Sequence, residues 1–330
     1  MSINWPAFIE TIEQYQSFVL TSHIRPDCDA LGSELGMACV LRALGKDVQI
    51  VNAHRTPSAL QFLDPAGRID VLGDSIEAED VRAECLMVLD TSAWAQLGDM
   101  ADVVRTTAAH KIVLDHHQAE DDLGAVFFKD VFSEATGSLV VQAADALKVP
   151  LTREMAIPLF AAIATDTGWF RFGSVTAETY RVIARLIEAG VVPSEVYGDL
   201  YERDTLGRLR LRGRILSRTA SLREGRLVHT HVLKEDFADT GAEPSDTEDA
   251  INLTLAVAGT QVAVIMVEQL RGGFKLSFRS RCGVDCSELA RNFGGGGHKA
   301  AAGAFLEGSL SEVQAKVLPL VEAAMAADNN

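Results

Sequence analysis

Short apolar runs recur along the first half of the chain, and each ends in a polar cluster rather than an ordinary turn. Residues 18–20 lead to Ser22, His23, Asp27 and Asp29; residues 86–89 lead to Asp90; residues 112–114 lead to Asp115-His116-His117; residues 160–164 lead to Asp166. Unbroken apolar runs of this kind read as strands buried on both faces, the habit of parallel sheets. Residues 33–44, 139–147, 153–164 and 176–189 instead repeat apolar positions at helical spacing. The alternation predicts an α/β domain with a parallel sheet, and open sheets of that kind carry their chemistry beyond the carboxyl ends of the strands. Four chain segments, taken as four strand ends, are thus expected to converge on one cluster of carboxylates and imidazoles.

The local patterns assign further roles. Pro26 and Gly32 bracket a strand-to-helix turn, so His23, Asp27 and Asp29 sit on a loop. The Asp27-x-Asp29 alternation brings two carboxylates to neighbouring points of one site, beyond any capping of the next helix. Thr136 or Ser138 is expected to cap the helix at 139–147, whose first N–H groups are also open to a phosphate. Thr165 and Thr167 flank Asp166 and are expected to hold its carboxylate in place. Residues 60–63 read as an edge or loop.

A polar, Arg- and Leu-rich helical stretch at 194–222 reads as a connector, after which the pattern changes. A strand at 227–233, an acidic loop to 248, a helix at 249–258 and strands at 262–269 and 274–280 predict a smaller mixed α/β domain, with Arg271-Gly272-Gly273 as a hairpin turn. This domain contains Gly294-Gly295-Gly296-Gly297-His298-Lys299. Consecutive glycines let backbone N–H groups curl around an anion, with His298 beside it, and Arg279 and Arg281 at a strand end offer guanidinium forks to a phosphate.

Composition narrows the chemistry. The 330 residues, 48% hydrophobic and 23% charged, are enough for two globular domains. A formal net charge of −16 argues against a long grip on duplex nucleic acid, which requires many cations to displace counterions. No window reaches the roughly 20 apolar residues of a membrane span, and the N-terminus lacks a signal-peptide pattern, so a cytoplasmic protein is expected. Cys28, Cys39, Cys85, Cys282 and Cys286 are odd in number and scattered, which fits reduced thiols rather than a disulfide framework.

Counting ligands assigns His23, Asp27 and Asp90 to one ion and Asp29, Asp90, His116 and Asp166 to a second, with Asp90 shared. Carboxylate and imidazole ligation without thiolate suits Mn²⁺, the first choice, or Mg²⁺. Two such ions about 3.5 to 4 Å apart activate a water and neutralise a phosphoryl oxygen, the chemistry of phosphate-ester hydrolysis. His117 is left over as a group to polarise the phosphate or protonate the leaving group, and Asp115 as its support.

The combination His23-x-x-Pro26-Asp27-x-Asp29, Asp90, Asp115-His116-His117, Thr165-Asp166-Thr167-Gly168 and Gly294 to Gly297 with His298 resembles the DHH/DHHA1 phosphoesterases. Within them it is similar to the short nanoRNase/pAp-phosphatase branch, and the likeness spans nearly the whole chain. The resemblance implies a metal-bearing DHH domain at 1–192, a helical connector at 193–222, and a DHHA1 domain at 223–330. Arg279, Arg281, Gly295, Gly296, Gly297 and His298 would hold the substrate's phosphate, with a cleft between the domains. It implies hydrolysis of very short oligoribonucleotides, removal of the 3′-phosphate of pAp in many members, and a homodimer as a compatible assembly. A cyclic-di-AMP or pApA phosphodiesterase, a RecJ-like single-strand exonuclease and a non-catalytic nucleotide-binding protein are the alternatives. A RecJ-like chain would be longer, and family II pyrophosphatases lack this Gly-rich loop.

Overall fold

The computed structural model describes residues 3–118, 120–247 and 250–328. The chain divides into two compact units, Met1–Glu202 and Arg203–Asn330. The division falls inside the stretch read as a connector.

The first unit is a six-stranded sheet, every strand parallel to its neighbours: β1 (Ser17–Thr21), β2 (Asp47–Asn52), β3 (Ile69–Val71), β4 (Cys85–Leu89), β5 (His110–Asp115) and β6 (Val126–Lys129). Their spatial order is β3-β2-β1-β4-β5-β6. Chain order therefore reverses between β1 and β4, and the crevice at such a reversal is where open α/β sheets bind ligands. Helices α1 (Trp5–Gln14), α2 (Cys28–Ala43), α3 (Met100–Thr106), α4 (Thr136–Ala146), α5 (Arg153–Asp166), α6 (Ala177–Glu188) and α7 (Pro193–Tyr201) complete the unit.

Helix α2 is buried from Cys28 through Leu41, as expected of a helix apolar on nearly every side. Small residues set how closely it packs. A Cβ on Gly32 would stand 2.3 Å from the Pro158 carbonyl oxygen of α5, and one on Gly137 would stand 2.8 Å from Ala162 Cβ. These contacts draw the N-terminal ends of α2 and α4 and the C-terminal end of α5 together. The result differs from the expected four strand ends. Asp166 is the last residue of helix α5, and strands deliver the other three segments.

The second unit begins with α8 (Leu206–Ser217), β7 (Ala220–Leu222), β8 (Leu227–Val232), α9 (Lys234–Thr240), α10 (Ala250–Thr254), β9 (Val262–Glu268) and β10 (Phe274–Ser280). It ends with α11 (Cys286–Arg291), β11 (Gly296–His298), β12 (Ala301–Leu306) and α12 (Leu310–Asp328). Its sheet runs β11-β12-β10-β9-β8-β7, with only β8 and β9 parallel. The stretch read as an acidic loop contains α9, and residues 220–222 leave the connector to form an edge strand. Val262, Val264, Met266, Phe274, Leu276 and Phe278 on one face pack with α11 and α12. On the other, Ala263, Ile265 and Val267 lie under α8, α9 and α10, while β10 and β12 keep Lys275 and Phe305 exposed and Arg279, Ala301 and Gly303 half-buried. Among the described residues no helix is long and apolar enough to cross a membrane.

Candidate active site

At the carboxyl ends of β1, β4 and β5 the first unit gathers three overlapping sets of potential ligand atoms, each set within 4.8 Å: His23, Asp27 and Asp90; Asp29, His116 and Asp166; and Asp90, His116 and His117. Asp90 lies at the centre. Its Oδ2 is 3.4 Å from His23 Nε2 and its Oδ1 is 3.5 Å from His116 Nε2, so one carboxylate spans two imidazoles. Asp90 adopts φ +62, a left-handed conformation that Asp tolerates better than bulkier residues. Its N–H donates to the Leu114 carbonyl at 3.1 Å, prolonging the β4–β5 ladder by one bond, and Thr136 Oγ1 donates to its Oδ1 at 2.9 Å.

Both imidazoles are aimed by their other nitrogen. His23 Nδ1 sits 2.9 Å from the Ile24 carbonyl and His116 Nδ1 sits 3.1 Å from the Ser133 carbonyl. A carbonyl only accepts, so Nδ1 carries a proton in each ring and Nε2 is the nitrogen turned inward toward the carboxylates. His116 Nε2 is nearly equidistant from three carboxylates: Asp29 Oδ2 at 3.7 Å, Asp90 Oδ1 at 3.5 Å and Asp166 Oδ2 at 3.6 Å. Asp27 does two jobs, capping α2 through the N–H groups of Asp29 and Ala30 and standing 3.7 Å from His23 Nε2.

Asp29 is held by a second helix. The N–H groups of Thr136 and Gly137, the first two residues of α4, each donate to its carboxylate at 2.8 Å. These are the groups expected to be open to a phosphate; they serve a buried acid instead, where the helix dipole also favours negative charge. The cap residue of α4 is Ala135, which has no capping side chain, and neither Thr136 nor Ser138 fills that role. Thr136 is directed at Asp90, and Ser138 Oγ donates to Glu134. Nor do Thr165 and Thr167 hold Asp166: their hydroxyls donate back to carbonyls of α5 one turn earlier.

The electrostatics are those of crowded acids. Burial, together with the charges of Asp90 and Asp166, raises Asp29 well above the usual carboxylate range. Burial also raises Asp166 to about 6; His116 opposes the shift, and Asp90 and Asp27 reinforce it. For His23, burial disfavours the charged ring, yet hydrogen bonds to Asp27 and Asp90 outweigh it and push the group up to about 11. Divalent cations are the natural complement of carboxylates so placed beside inward-facing imidazole nitrogens.

His117 stands apart. Asp115 Oδ1 accepts from its backbone N–H at 3.0 Å and its ring Nδ1 at 2.8 Å, and this hydrogen bond raises the His117 pKa. Nδ1, 3.8 Å from Asp90, is thereby a donor rather than a ligand. The ring is half exposed at the rim of a cavity of about 320 Å³ that His23, Asp27, Asp90 and Gln96 also line.

In the second unit, cross-strand register sets Arg279 and His298 on either side of Ala301, in one row and on one face of the sheet. The glycines before them do not curl into a nest. Gly296 to His298 pair with β12, and Cβ atoms on Gly295 and Gly297 would stand 2.2 and 2.6 Å from the carbonyl oxygens of Gly303 and Ala301. Close strand approach is what requires glycine there. Arg281 follows the end of β10, and its guanidinium donates to the Leu255 carbonyl at 2.9 Å. Sequence reasoning missed Ser92, Lys129, Ser133, Thr136 and Gly137 as supporting groups, because their partners are distant in the chain.

A parallel sheet reversing at β1 and β4, with a carboxylate and imidazole cluster at that point, defines an α/β protein equipped to hold divalent cations. Family models for the DHH family, N-terminal domain, and for the DHHA1 domain match residues 17–163 and 226–327. The chain is 35% identical over 303 residues to the bifunctional oligoribonuclease and PAP phosphatase NrnA of Thermus thermophilus, covering 92% of this chain and 88% of that one. It is 27% identical to the Bacillus subtilis protein of the same name, over 90% of this chain and 91% of the other. The crystal structure of an exopolyphosphatase-related protein from Bacteroides fragilis superposes with a TM-score of 0.85 at 26% identity, covering 98% of this chain and 95% of that one. The chain belongs to the DHH family and carries its DHHA1 domain.

Proposed function

We propose that this chain is a metal-dependent phosphoesterase that hydrolyses very short oligoribonucleotides and removes the 3′-phosphate of pAp. The observation that carries the reading is the position of Asp90, one carboxylate facing His23 on one side and His116 on the other. The names of the two relatives supply the substrate class. His23, Asp27 and Asp90 would hold one cation and Asp29, Asp90, His116 and Asp166 a second; Mn²⁺ is favoured over Mg²⁺ because imidazole contributes to both sets. When bound, such a pair supplies a nucleophilic water at neutral pH and neutralises a phosphoryl oxygen.

The chain's own residues do the rest. Backbone carbonyls fix the tautomers of His23 and His116, and α4 holds Asp29. His117, charged through Asp115, donates a proton toward the leaving oxygen. In the second unit, Arg279 and His298 hold a substrate phosphate by charge-assisted hydrogen bonds. The test is Mn²⁺-dependent product release from RNAs of two, five and twenty-four nucleotides, single-stranded DNA, pAp, cyclic di-AMP and pApA. Preference for the shortest RNAs together with pAp is the expected result. Preference for a cyclic or linear dinucleotide, processive cutting of long DNA, or no hydrolysis with either metal would overturn the assignment.

A further inference from the structure

Lys129, the last residue of β6, is a charged side chain largely withdrawn from solvent beside the site. Its side chain is 10% exposed, and Nζ lies 2.6 Å from Ser92 Oγ, 3.3 Å from Asp115 Oδ2 and 3.4 Å from Glu120 Oε2. Asp115 is fully buried, and its two oxygens divide their labour. Oδ1 takes both bonds from His117, while Oδ2 accepts from Ser92 Oγ at 2.6 Å and faces Lys129. The β5–β6 register sets Asp115 opposite Lys129, and the Asp130 N–H closes the strand end onto the Asp115 carbonyl at 3.2 Å. Burying an ammonium group is costly unless it is paired, and this one is paired with the acid that orients the ring outside the proposed ligand sets.

We propose that Lys129, with Ser92, is a positioning residue for His117: it fixes Asp115 so that the imidazole keeps Nδ1 turned inward and offers Nε2 to the substrate. The inference rests on the proposed role of His117. A carboxylate held at one oxygen alone can rotate about its Cβ–Cγ bond, and the ring hydrogen-bonded to it then loses its fixed direction. Groups one step removed from a site typically contribute about 10- to 100-fold to activity through such orientation.

The test is a double-mutant cycle between Lys129→Met and His117→Asn in the full chain, with kcat, KM, bound metal and thermal unfolding measured for each protein. Lys129→Met is expected to lower kcat by about 10- to 100-fold with KM and bound metal unchanged, Lys129→Arg to recover part of the loss, and Lys129→Met to cost little further once His117 is Asn. Ser92→Ala, which removes one donor to Asp115 and keeps the lysine, reads the same coupling should Lys129→Met fail to fold. Equal losses from Lys129→Met with and without His117, loss of bound metal, or unchanged kcat would overturn the role of Lys129 alone. Full turnover by His117→Asn would overturn the reading of His117, and this inference with it.

Discussion

Each unit buries an acid, and the two do so in opposite ways. In the first, Asp29 is 2% exposed and its charged neighbours include Asp90 and Asp166, so its pKa is driven up. In the second, Asp236 is fully buried, yet Arg214 donates to its Oδ1 at 2.8 Å and Arg218 grips both oxygens, which holds it at about 2 although burial acts to raise it. A buried carboxylate is tolerated when its countercharge is built in. Asp236 meets that condition with arginines and serves as an internal clamp; the first unit packs its acids against one another and so is suited to take cations from solution. The row of Arg279 and His298 is a third arrangement, in which a half-buried guanidinium and an exposed imidazole share one face of the sheet with no buried acid between them in the row.

Changes at the crowded acids should therefore have the largest effect. Asp90→Asn keeps the shape and halves the bridge's capacity as a ligand. Turnover should fall by well over the roughly 100-fold expected for a merely supporting residue, with loss of bound metal measured on the purified protein. Retained metal and substantial turnover would mean that Asp90 does not join the two ligand sets. His117→Asn should come next, with kcat lower by about 10²- to 10⁴-fold and metal content intact, which separates proton transfer from metal binding. Arg279→Ala and His298→Ala should be milder, raising KM about tenfold, which corresponds to roughly 1.4 kcal/mol, with kcat and metal content close to normal. A KM unchanged in both would remove the phosphate-holding role from that sheet face.

Much of this contrast was legible in the sequence. Acids and imidazoles interrupt apolar runs in few places, and strands that begin side by side must end side by side, so His23, Asp90 and His116 could be grouped before any coordinates. What stayed hidden depends on adjacency between distant segments. Asp29 and the N–H groups that hold it are 107 and 108 residues apart, and the threonines flanking Asp166 offered a closer but wrong explanation of support. The partners of Lys129 are not visible in the sequence until β6 is known to lie beside β5. The glycine run was misread for a similar reason: its need for small residues arises from β12, the strand it pairs with.

The smallest effect gives a separate check on the comparison, because the clamped acid of the second unit and the crowded acids of the first should respond to pH with opposite sign. The folded-state pKa of Asp236 lies below its unfolded value, so its stabilisation is complete above about pH 4 and is lost as pH falls through about 2. The shift corresponds to about 2 kcal/mol. Asp166, raised to about 6, binds its proton more readily when folded; in protein stripped of divalent metal, acidification from about pH 7 to 5 should therefore relieve repulsion and raise stability. Urea unfolding of wild type, Asp236→Asn and Asp166→Asn after chelation resolves the two. The stability deficit of Asp236→Asn should be constant from pH 7 to 5 and narrow below pH 4. Over that upper range, metal-stripped wild type should gain on Asp166→Asn as pH falls. A gain of the same size with Mn²⁺ bound would show that the acids of the first unit are not what the cations neutralise.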